Sequence, residues 1–351
     1  AAAAATTTTS APTSLLTAEH IETFKRDGVI VVEDVFGEDE VAAIRESFHG
    51  YLKARFGIDA ANLDAEQMKA LPRFGPQGQI FYPAFRMDVA LHERVYAIYR
   101  DLFAATFAPG NVPGFEHDFG AFDPAHSLCY VDRLNFRTPD SVAAQGGLGA
   151  HLDMNPWDPL LEQHGGTRKW RPIQAWVGLT DHYGPEAGGL RVVKGFHREL
   201  LDYFRSSRPA TIPGGEFTRL AKSQHAALAR RLVHVDAPAG AMVLWDNRIV
   251  HATADRLSTG TTREVFFTAL LPGVALNRRY VRAQLAAMRA NVLPPDFAKS
   301  RKNPSTADLQ DGYLDALGAL QRRLLMIDAW ADYDDADEAA LAAHDARVAA
   351  G

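Results

Sequence analysis

The runs GAMVLWDNRIVHAT (residues 240–253) and REVFFTALLP (residues 263–272) decide the fold. Each combines β-branched and aromatic residues with a turn residue, which is typical of short strands. Four similar runs precede them: SLCYVDRLNFR (127–137), RPIQAWVGLTD (171–181), GGLRVVKGF (188–196) and RRLVHV (230–235). Short strands at this spacing indicate a jelly roll or a barrel, and no glycine-rich turn typical of nucleotide-binding folds occurs. We therefore expect a mainly β core at about 127–272 with flanking helices.

The segments on either side of this core have helical periodicity. We expect N-terminal helices within residues 17–107, interrupted by a Val/Ile strand at 29–32, and one of these helices should run from Met87 to about Phe107. A C-terminal helical extension is expected at 277–345. Residues 1–14, AAAAATTTTSAPTS, are of low complexity, and we expect a flexible tail there. Residues 15–351 would then form a single domain.

Composition narrows the possible functions. The 351 residues include 43 acidic residues and 37 Lys or Arg, so the net charge of −6 provides no general basic field for nucleic acid. Cys129 is the only cysteine, which excludes an intramolecular disulfide and a thiolate-rich metal site. No apolar run is long enough to span a bilayer. We expect a cytoplasmic protein that acts on a small molecule away from membranes, and its oligomeric state stays open.

A transition-metal site in this chain must use histidine and carboxylate ligands. Two residues at positions i and i+2 of a strand point the same way, so an H-x-D/E tripeptide can supply two ligands. Four such tripeptides occur: His20-Ile-Glu22, His151-Leu-Asp153, His197-Arg-Glu199 and His234-Val-Asp236. The first lies on a predicted helix, where positions i and i+2 do not share a face, and the third follows a turn. The second and fourth remain candidates.

The context favours His151 and Asp153. They follow the glycine-rich QGGLG (145–149) and precede MNPW (154–157), which resembles a strand opening onto a lid at 154–171. His251, at the end of a strand-like run, is the best third ligand from a distant strand. Arg263 opens the next apolar strand and needs an anionic partner, either a ligand or an internal carboxylate.

These residues, in this order and at these separations, resemble the Fe(II)- and 2-oxoglutarate-dependent oxygenases. Within them the chain is similar to the phytanoyl-CoA dioxygenase-like family. The stretches that carry the likeness are LTAEHIETFKRDG (16–28), WVGLTD (176–181), GGLRVVKGFH (188–197) and WDNRIVH (245–251). The resemblance covers about residues 15–272.

The resemblance implies a double-stranded β-helix, or cupin-like jelly roll, and an enzyme that uses Fe(II), 2-oxoglutarate and O₂ and releases succinate and CO₂. It implies that iron is bound by His151, Asp153 and His251. Related halogenases lack the carboxylate, so its presence implies hydroxylation or a related oxidation. It further implies a pocket for 2-oxoglutarate. In that pocket Arg263 would bind the distal carboxylate of 2-oxoglutarate, and Thr253 and Trp176 would lie beside it. Leu152 stands where family members often have a polar residue.

The residues that would contact the substrate follow from strand alternation and from the lid. On the run 127–137, Arg133 and Asn135 share a polar face that either lines the pocket or meets solvent. Further candidates are Asn155 and Trp157 in the lid, Gln174 on the strand of Trp176, and Arg191 near the mouth. The arginines there suggest an anionic substrate, although arginines also form structural ion pairs.

Two other functions remain open from the sequence. One is a non-catalytic jelly-roll protein that binds a metal or an organic acid. The other is a zinc hydrolase with the same three ligands, in which a metal-bound water attacks the substrate without O₂ or 2-oxoglutarate.

Overall fold

The computed structural model describes residues 15–69, 80–157, 168–205, 215, 217–298 and 308–330. The strands in these ranges are β1 (Val29–Val32), β2 (Leu128–Tyr130), β3 (Leu134–Arg137), β4 (His151–Leu152), β5 (Ile173–Gly178), β6 (Leu190–Val192), β7 (Thr218–Arg219), β8 (Val233–His234), β9 (Met242–Asp246), β10 (His251–Thr253), β11 (Arg263–Phe267) and β12 (Ala269–Leu271). The helices are α1 (Ala18–Asp27), α2 (Glu38–Phe56), α3 (Ala65–Lys69), α4 (Ala84–Ala90), α5 (Glu93–Ala105), α6 (Leu200–Arg205), α7 (Lys222–Arg230), α8 (Ala275–Arg289) and α9 (Ala319–Leu324). None of these helices combines the length and apolar character that crossing a membrane requires.

Two five-stranded antiparallel sheets form the core. The major sheet has the order β1-β9-β5-β11-β3, and the minor sheet has the order β7-β4-β10-β6-β8. Strands β2 and β12 form a separate pair. The predicted jelly-roll core with flanking helices is thus confirmed, although more of the described residues are helical than extended. The first strand of the major sheet, β1, comes from the N-terminal segment and lies outside the predicted core range of 127–272.

The two faces of the major sheet have different partners. Ala175, Val177 and Leu244 belong to the large apolar cluster shared with the N-terminal helices. The alternate residues Trp176 and Val243 belong to a smaller cluster that also contains residues of the minor sheet. Because strand residues alternate between faces, one face of this sheet packs against the helices and the other faces the minor sheet.

The prediction of one continuous helix from Met87 to about Phe107 is wrong, because the structure has two helices there. Helix α4 ends at Ala90, and α5 begins after His92, whose side chain accepts a hydrogen bond from the backbone of Arg94. His92 therefore acts as the N-cap of a second helix, since its ψ angle of 139° is extended and not helical.

The predicted strand at 127–137 is also divided. The strand is interrupted at residues 131 and 132, whose backbone groups bond to side chains: Val131 N–H donates to Gln284, and the carbonyl of Asp132 accepts from the buried Arg86. These contacts outside the sheet separate β2 from β3.

The C-terminal part is less helical than expected within the described residues. Within the range expected to be helical, 277–345, the described α-helices are α8, which begins just before it, and the short α9. The remainder of the expected extension, residues 331–345, and the expected tail at 1–14 lie outside the described residues.

A buried carboxylate fastens α2 to the major sheet. Glu264 on β11 has a fully buried side chain and accepts hydrogen bonds from Arg45 (2.9 and 3.2 Å) and from His49 (2.9 Å), both on α2. Thr262 donates a further hydrogen bond of 2.6 Å to the same carboxylate. Burial alone would raise the pKa of Glu264, but the hydrogen bonds from His49 and Arg45 outweigh it and lower the pKa from 4.5 to about 2.

We predict that Glu264→Gln destabilises the protein in a pH-dependent way. Since one pKa unit corresponds to about 1.4 kcal/mol, the lowered pKa contributes about 3 kcal/mol to the free energy of unfolding. The folded-state pKa is the lower one, so this contribution is present above pH 4.5 and is lost as the pH falls from 4.5 through about 2. Urea unfolding at pH 7 and at pH 3 measures it.

The matched control is Glu22→Gln, because Glu22 pairs with Lys25 on the surface and its side chain is 71% exposed. This variant should change stability little. A loss in Glu264→Gln that is equally large at both pH values would contradict the electrostatic origin.

Candidate metal centre

Strand pairing brings His151 and His251 together. They are direct partners across the antiparallel strands β4 and β10, and their ring centroids lie 4.1 Å apart. Asp153, two residues after His151, approaches both rings: its carboxylate oxygens lie 3.6 Å from Nε2 of His151 and 3.4 Å from Nε2 of His251. One ligand atom from each of the three residues lies within 4.8 Å of the others. Two strands and the turn after β4 therefore converge on one point.

Backbone carbonyls orient both imidazole rings. Nδ1 of His151 contacts the carbonyl of Gly149 at 2.7 Å, and Nδ1 of His251 contacts that of Ile249 at 3.1 Å. Each contact requires that Nδ1 carries the proton and donates, which leaves the Nε2 lone pairs directed at the carboxylate of Asp153. Such an arrangement of two imidazole nitrogens and one carboxylate suits Fe(II) with open coordination positions.

The charge states also suit metal binding. Burial, and then the neighbouring His251, lower the pKa of His151 from 6.5 to about 4. Burial would raise the pKa of Asp153, but the adjacent histidines, His251 first, hold it well below its ordinary value. At neutral pH His151 is therefore neutral and Asp153 is ionised, which are the forms that coordinate a metal.

The other H-x-D/E pairs have structural roles. His20 completes the N-terminal cap of α1 with Thr17, and His197 contacts the backbone carbonyl of Lys25 at 3.1 Å. His234 lies on β8 opposite Arg191, and Asp236 accepts a hydrogen bond from the backbone of Gly184. In the described part of the chain, one cluster of three potential metal ligands is present: His151, Asp153 and His251.

A hydrogen-bonded pair behind the ligands supports Asp153. Gln174 on β5 donates to the side-chain oxygen of Asn247 at 2.5 Å, and Asn247 donates to the backbone carbonyl of Asp153 at 3.3 Å. We expected Gln174 to contact substrate, but its amide is used in this pair. Sequence reasoning missed Asn247, because a single Asn in a turn carries no distinctive signal.

Arg263 is a buried cation with no carboxylate partner among the described residues. Its Nη1 donates to the side-chain oxygen of Asn135, and its Nε is buried without a hydrogen bond. Burial, and then the nearby Arg137, lower its pKa from 12.5 to about 9. Arg137 is itself occupied by the carbonyls of Ala254 and Asp255. The adjacent Glu264 faces the helices, so the expected internal carboxylate does not serve Arg263.

Further polar groups around Arg263 lack partners. Trp176 is fully buried in the cluster between the sheets, and its Nε1 has no hydrogen bond. Its ring lies 5.0 Å from that of His182, whose two ring nitrogens are also buried without partners. Burial, and then the charge of Arg263, lower the pKa of His182 to about 3. Thr253 lies two residues beyond His251 on β10 and therefore on the same face.

Buried polar groups are normally hydrogen-bonded, so these unpartnered atoms are the ones that a polar ligand would satisfy. The donors are a guanidinium and an indole N–H, which match a carboxylate-bearing molecule. The residues present therefore fit a dicarboxylate co-substrate beside a two-histidine, one-carboxylate metal site. His182 was not among the candidates predicted from sequence.

The remaining substrate candidates lie in three different surroundings. Asn135 contacts Arg263, as described above. Arg133 is about half exposed and lies over the ring of Phe297 at 5.2 Å, and its charge is close enough to His151 to help lower the pKa of that ring. Arg191 lies between Leu190 and Val192, which face the sheet interior, so its side chain is on the outer face of the minor sheet. Arg191 therefore points away from the space between the sheets, whereas a substrate contact of Arg133 stays a prediction.

The two lid candidates have local structural contacts. The side-chain oxygen of Asn155 accepts from the backbone N–H of Trp157 at 3.0 Å. The indole of Trp157 donates to the carbonyl of Phe204 at 3.2 Å and packs on its ring. Residues 158–167 of the expected lid lie outside the described residues.

A cavity of about 600 Å³ opens next to Asp153. Met154 and Asn247 line it close to this ligand, and the segment 169–172 forms another wall. Its size suits a small organic molecule. Of the triad His151, Asp153 and His251, Asp153 is the one among the described lining of the cavity.

Comparisons with known proteins agree with this site. The sequence profile of the family described as Phytanoyl-CoA dioxygenase (PhyH) matches residues 24–265, well over half of the chain. The chain belongs to this family. No curated protein matches the chain significantly. The family assignment confirms the resemblance inferred from sequence.

Solved structures support the fold of this PhyH-family chain. GlcNAc Inducible Gene 2 (GIG2) from Candida albicans has a TM-score of 0.69 at 16% identity, covering 96% of this chain and 83% of that one. The hypothetical protein JW0805 at high pH from Escherichia coli has a TM-score of 0.66 at 18% identity, with coverages of 90% and 84%. At these identities the likeness extends to the fold and not to the activity.

We predict that His251→Ala weakens divalent-metal binding at least about 100-fold, because even outer contacts of metal ligands account for about 10-fold to 100-fold in affinity. Anaerobic calorimetry with Fe(II), or with Mn(II) as a stable substitute, measures the dissociation constant. His234→Ala is the control, since His234 belongs to a competing H-x-D pair on β8. Equal weakening by both variants would contradict the assignment.

Asn247→Ala should weaken the same metal binding about 10-fold, because Asp153 loses the donor that holds its backbone. The far-ultraviolet spectrum and melting temperature report whether the variant is folded. Unchanged metal affinity in a folded variant would show that Asn247 does not position Asp153.

Proposed function

We propose that the protein is an Fe(II)- and 2-oxoglutarate-dependent dioxygenase that hydroxylates a small organic substrate and releases succinate and CO₂. The observation that carries this proposal is the placement of Arg263, a buried guanidinium without a carboxylate partner among the described residues, in the same β core as the triad. Membership of a dioxygenase family supports the same reaction class.

The three ligands divide the work of holding the metal. His151 and His251 supply neutral nitrogen donors whose orientation is set by backbone carbonyls, and Asp153 supplies one negative charge. Iron bound by these residues supplies the activation of O₂ and the oxidative decarboxylation of 2-oxoglutarate.

Arg263 recognises the far carboxylate of 2-oxoglutarate. A guanidinium presents parallel N–H groups to a carboxylate, and burial strengthens the attraction because little water screens it. Asn135 fixes the guanidinium of Arg263, and the nearby Arg137 does not compete for the ligand, because its donors are held by two backbone carbonyls and by Asp140. Trp176 and His182 complete the polar surroundings, and the apolar cluster between the sheets excludes water.

The direct test is the formation of succinate. Fe(II)-loaded protein supplied with 2-oxoglutarate should form succinate in air and none under argon, even when turnover without substrate is slow. Zinc-loaded protein should form none. A zinc hydrolase would need neither O₂ nor 2-oxoglutarate, and a non-catalytic binding protein would bind without turnover. Folded, iron-loaded protein that neither binds 2-oxoglutarate nor forms succinate would refute the proposal.

Arg263→Met should raise the dissociation constant for 2-oxoglutarate about 10-fold to 100-fold, because a hydrogen bond to a charged group contributes about 1.5–3 kcal/mol. The melting temperature should not fall, since the substitution removes a buried charge that Arg137 repels. Arg191→Met, on the outer face of the minor sheet, is the control and should bind 2-oxoglutarate normally. Equal affinities in Arg263→Met and wild type would place the co-substrate elsewhere.

A further inference from the structure

Five Lys or Arg residues line the cavity beside Asp153; Arg198 and Arg205 are exposed, and the other three, which are buried or partly buried, form what we call its floor. These three are Lys169 and Arg171, which precede β5, and Arg248, which follows β9. The ammonium of Lys169 is fully buried, and the guanidinium of Arg171 is nearly so. The cavity floor therefore concentrates positive charge within a mostly apolar wall.

Each of these cations has a buried acidic partner. Asp296 pairs with Lys169, Asp132 pairs with Arg171 at 2.9 Å, and Asp246 pairs with Arg248 at 2.7 Å. None of the three acids is among the described residues that line the cavity. The positive ends of these ion pairs thus border the cavity, while the negative ends lie in the surrounding protein.

Arg248 is the accessible donor of the three. Its Nε and Nη2 are fixed by the carboxylate of Asp246 at 2.9 and 2.7 Å, and its guanidinium lies over the rings of Phe107 and Phe115. About a quarter of its side chain is exposed, and no described residue accepts a hydrogen bond from its Nη1. A rigid guanidinium with a remaining donor is suited to bind an anion at low entropic cost.

An aromatic wall stands beside this floor. Trp170 stacks on Phe119 with ring centroids 4.7 Å apart, and His117 lies 4.3 Å from Trp170. All three residues line the cavity and are partly exposed. Exposed aromatic faces bind flat or apolar groups, which they pack against by stacking.

The acidic lining residues lie mainly at the mouth. Glu116, Asp118 and Asp202 are exposed to solvent, so water screens their charges. Asp153 is the remaining acid of the lining, and it faces the two histidines. Arg263, Thr253 and Trp176 are absent from the described lining, so this cavity is separate from the co-substrate pocket.

We propose that the substrate is an organic anion with a ring-bearing apolar body. Its anionic group, a carboxylate or a phosphate, binds Arg248 in the field of Lys169 and Arg171, and its body packs against Trp170 and Phe119. This inference rests on the proposed function, because it assigns the substrate of that site.

Equilibrium binding tests the inference without turnover. Biphenyl-4-carboxylate, biphenyl-4-yl phosphate, the neutral biphenyl-4-carboxamide and the cationic biphenyl-4-ylmethylamine share one apolar body and differ in charge. Each is titrated calorimetrically into the protein with saturating Mn(II) and 2-oxoglutarate, and in parallel into protein with neither. At least one anion should bind about 10-fold to 100-fold more tightly than the carboxamide in both series. The tighter of the two anions identifies the substrate's charged group.

The wild-type series decides the sign of charge that the cavity prefers. Equal affinities for anions and carboxamide, or a preference for the amine, would overturn the inference. Loss of anion binding in saturating 2-oxoglutarate would also overturn it, because the anion would then occupy the co-substrate pocket. Succinate formation is measured in a separate experiment. A failed binding test would therefore reject the substrate class without rejecting the proposed reaction.

Variants locate the anion site. Arg248→Gln keeps an amide donor for the buried Asp246 and should weaken anion binding about 10-fold or more while leaving carboxamide binding unchanged. Arg248→Lys, which restores the charge, should recover part of the loss. Arg191→Gln, which removes an arginine on the outer face of the minor sheet and outside the cavity lining, is the control. Anion affinity that is unaffected in a folded Arg248→Gln would exclude this site.

Discussion

The candidate metal centre depends on the antiparallel pairing of β4 with β10. Because His151 and His251 are direct partners across these strands, their side chains emerge side by side on one face of the minor sheet. A shift of one residue in this register would turn one of the two rings to the opposite face. The backbone carbonyls of Gly149 and Ile249, each two residues before its histidine, then set both rings in the same tautomer. Asp153 needs only the turn after β4 to join them.

The major sheet gives its two faces opposite electrostatic environments. Glu264, on the face toward the helices, is fully satisfied by Arg45, His49 and Thr262. The preceding residue, Arg263, points to the other face and has an amide but no carboxylate among the described residues. Two adjacent residues of one strand thus differ in role: in the proposed function the first binds a ligand carboxylate, and the second fastens a helix to the sheet.

The sequence predicted the parts of the protein that depend on local pattern. Strand alternation and turn residues located the β core, and the order of His151, Asp153, His251 and Arg263 carried the family resemblance. Interactions between distant segments were not predictable in the same way. The strand at 127–137 is divided because Gln284 and Arg86 bind its backbone, and neither has a local signal. The sequence suggested that Arg191 lies near the mouth of the pocket. Its neighbours on β6, Leu190 and Val192, face the space between the sheets, so the side chain of Arg191 points outward. Asn247 and His182 acquire their roles only through the fold.

The most direct test of the iron and 2-oxoglutarate assignment is an anaerobic titration of Fe(II)-loaded protein with 2-oxoglutarate, followed by visible absorption. Chelation of Fe(II) by the keto acid should produce a metal-to-ligand charge-transfer band in the wild type. The band should be absent in His251→Ala, and it should require much more 2-oxoglutarate in Arg263→Met. A folded, iron-loaded wild type that shows no band at saturating 2-oxoglutarate would contradict the assignment of this site.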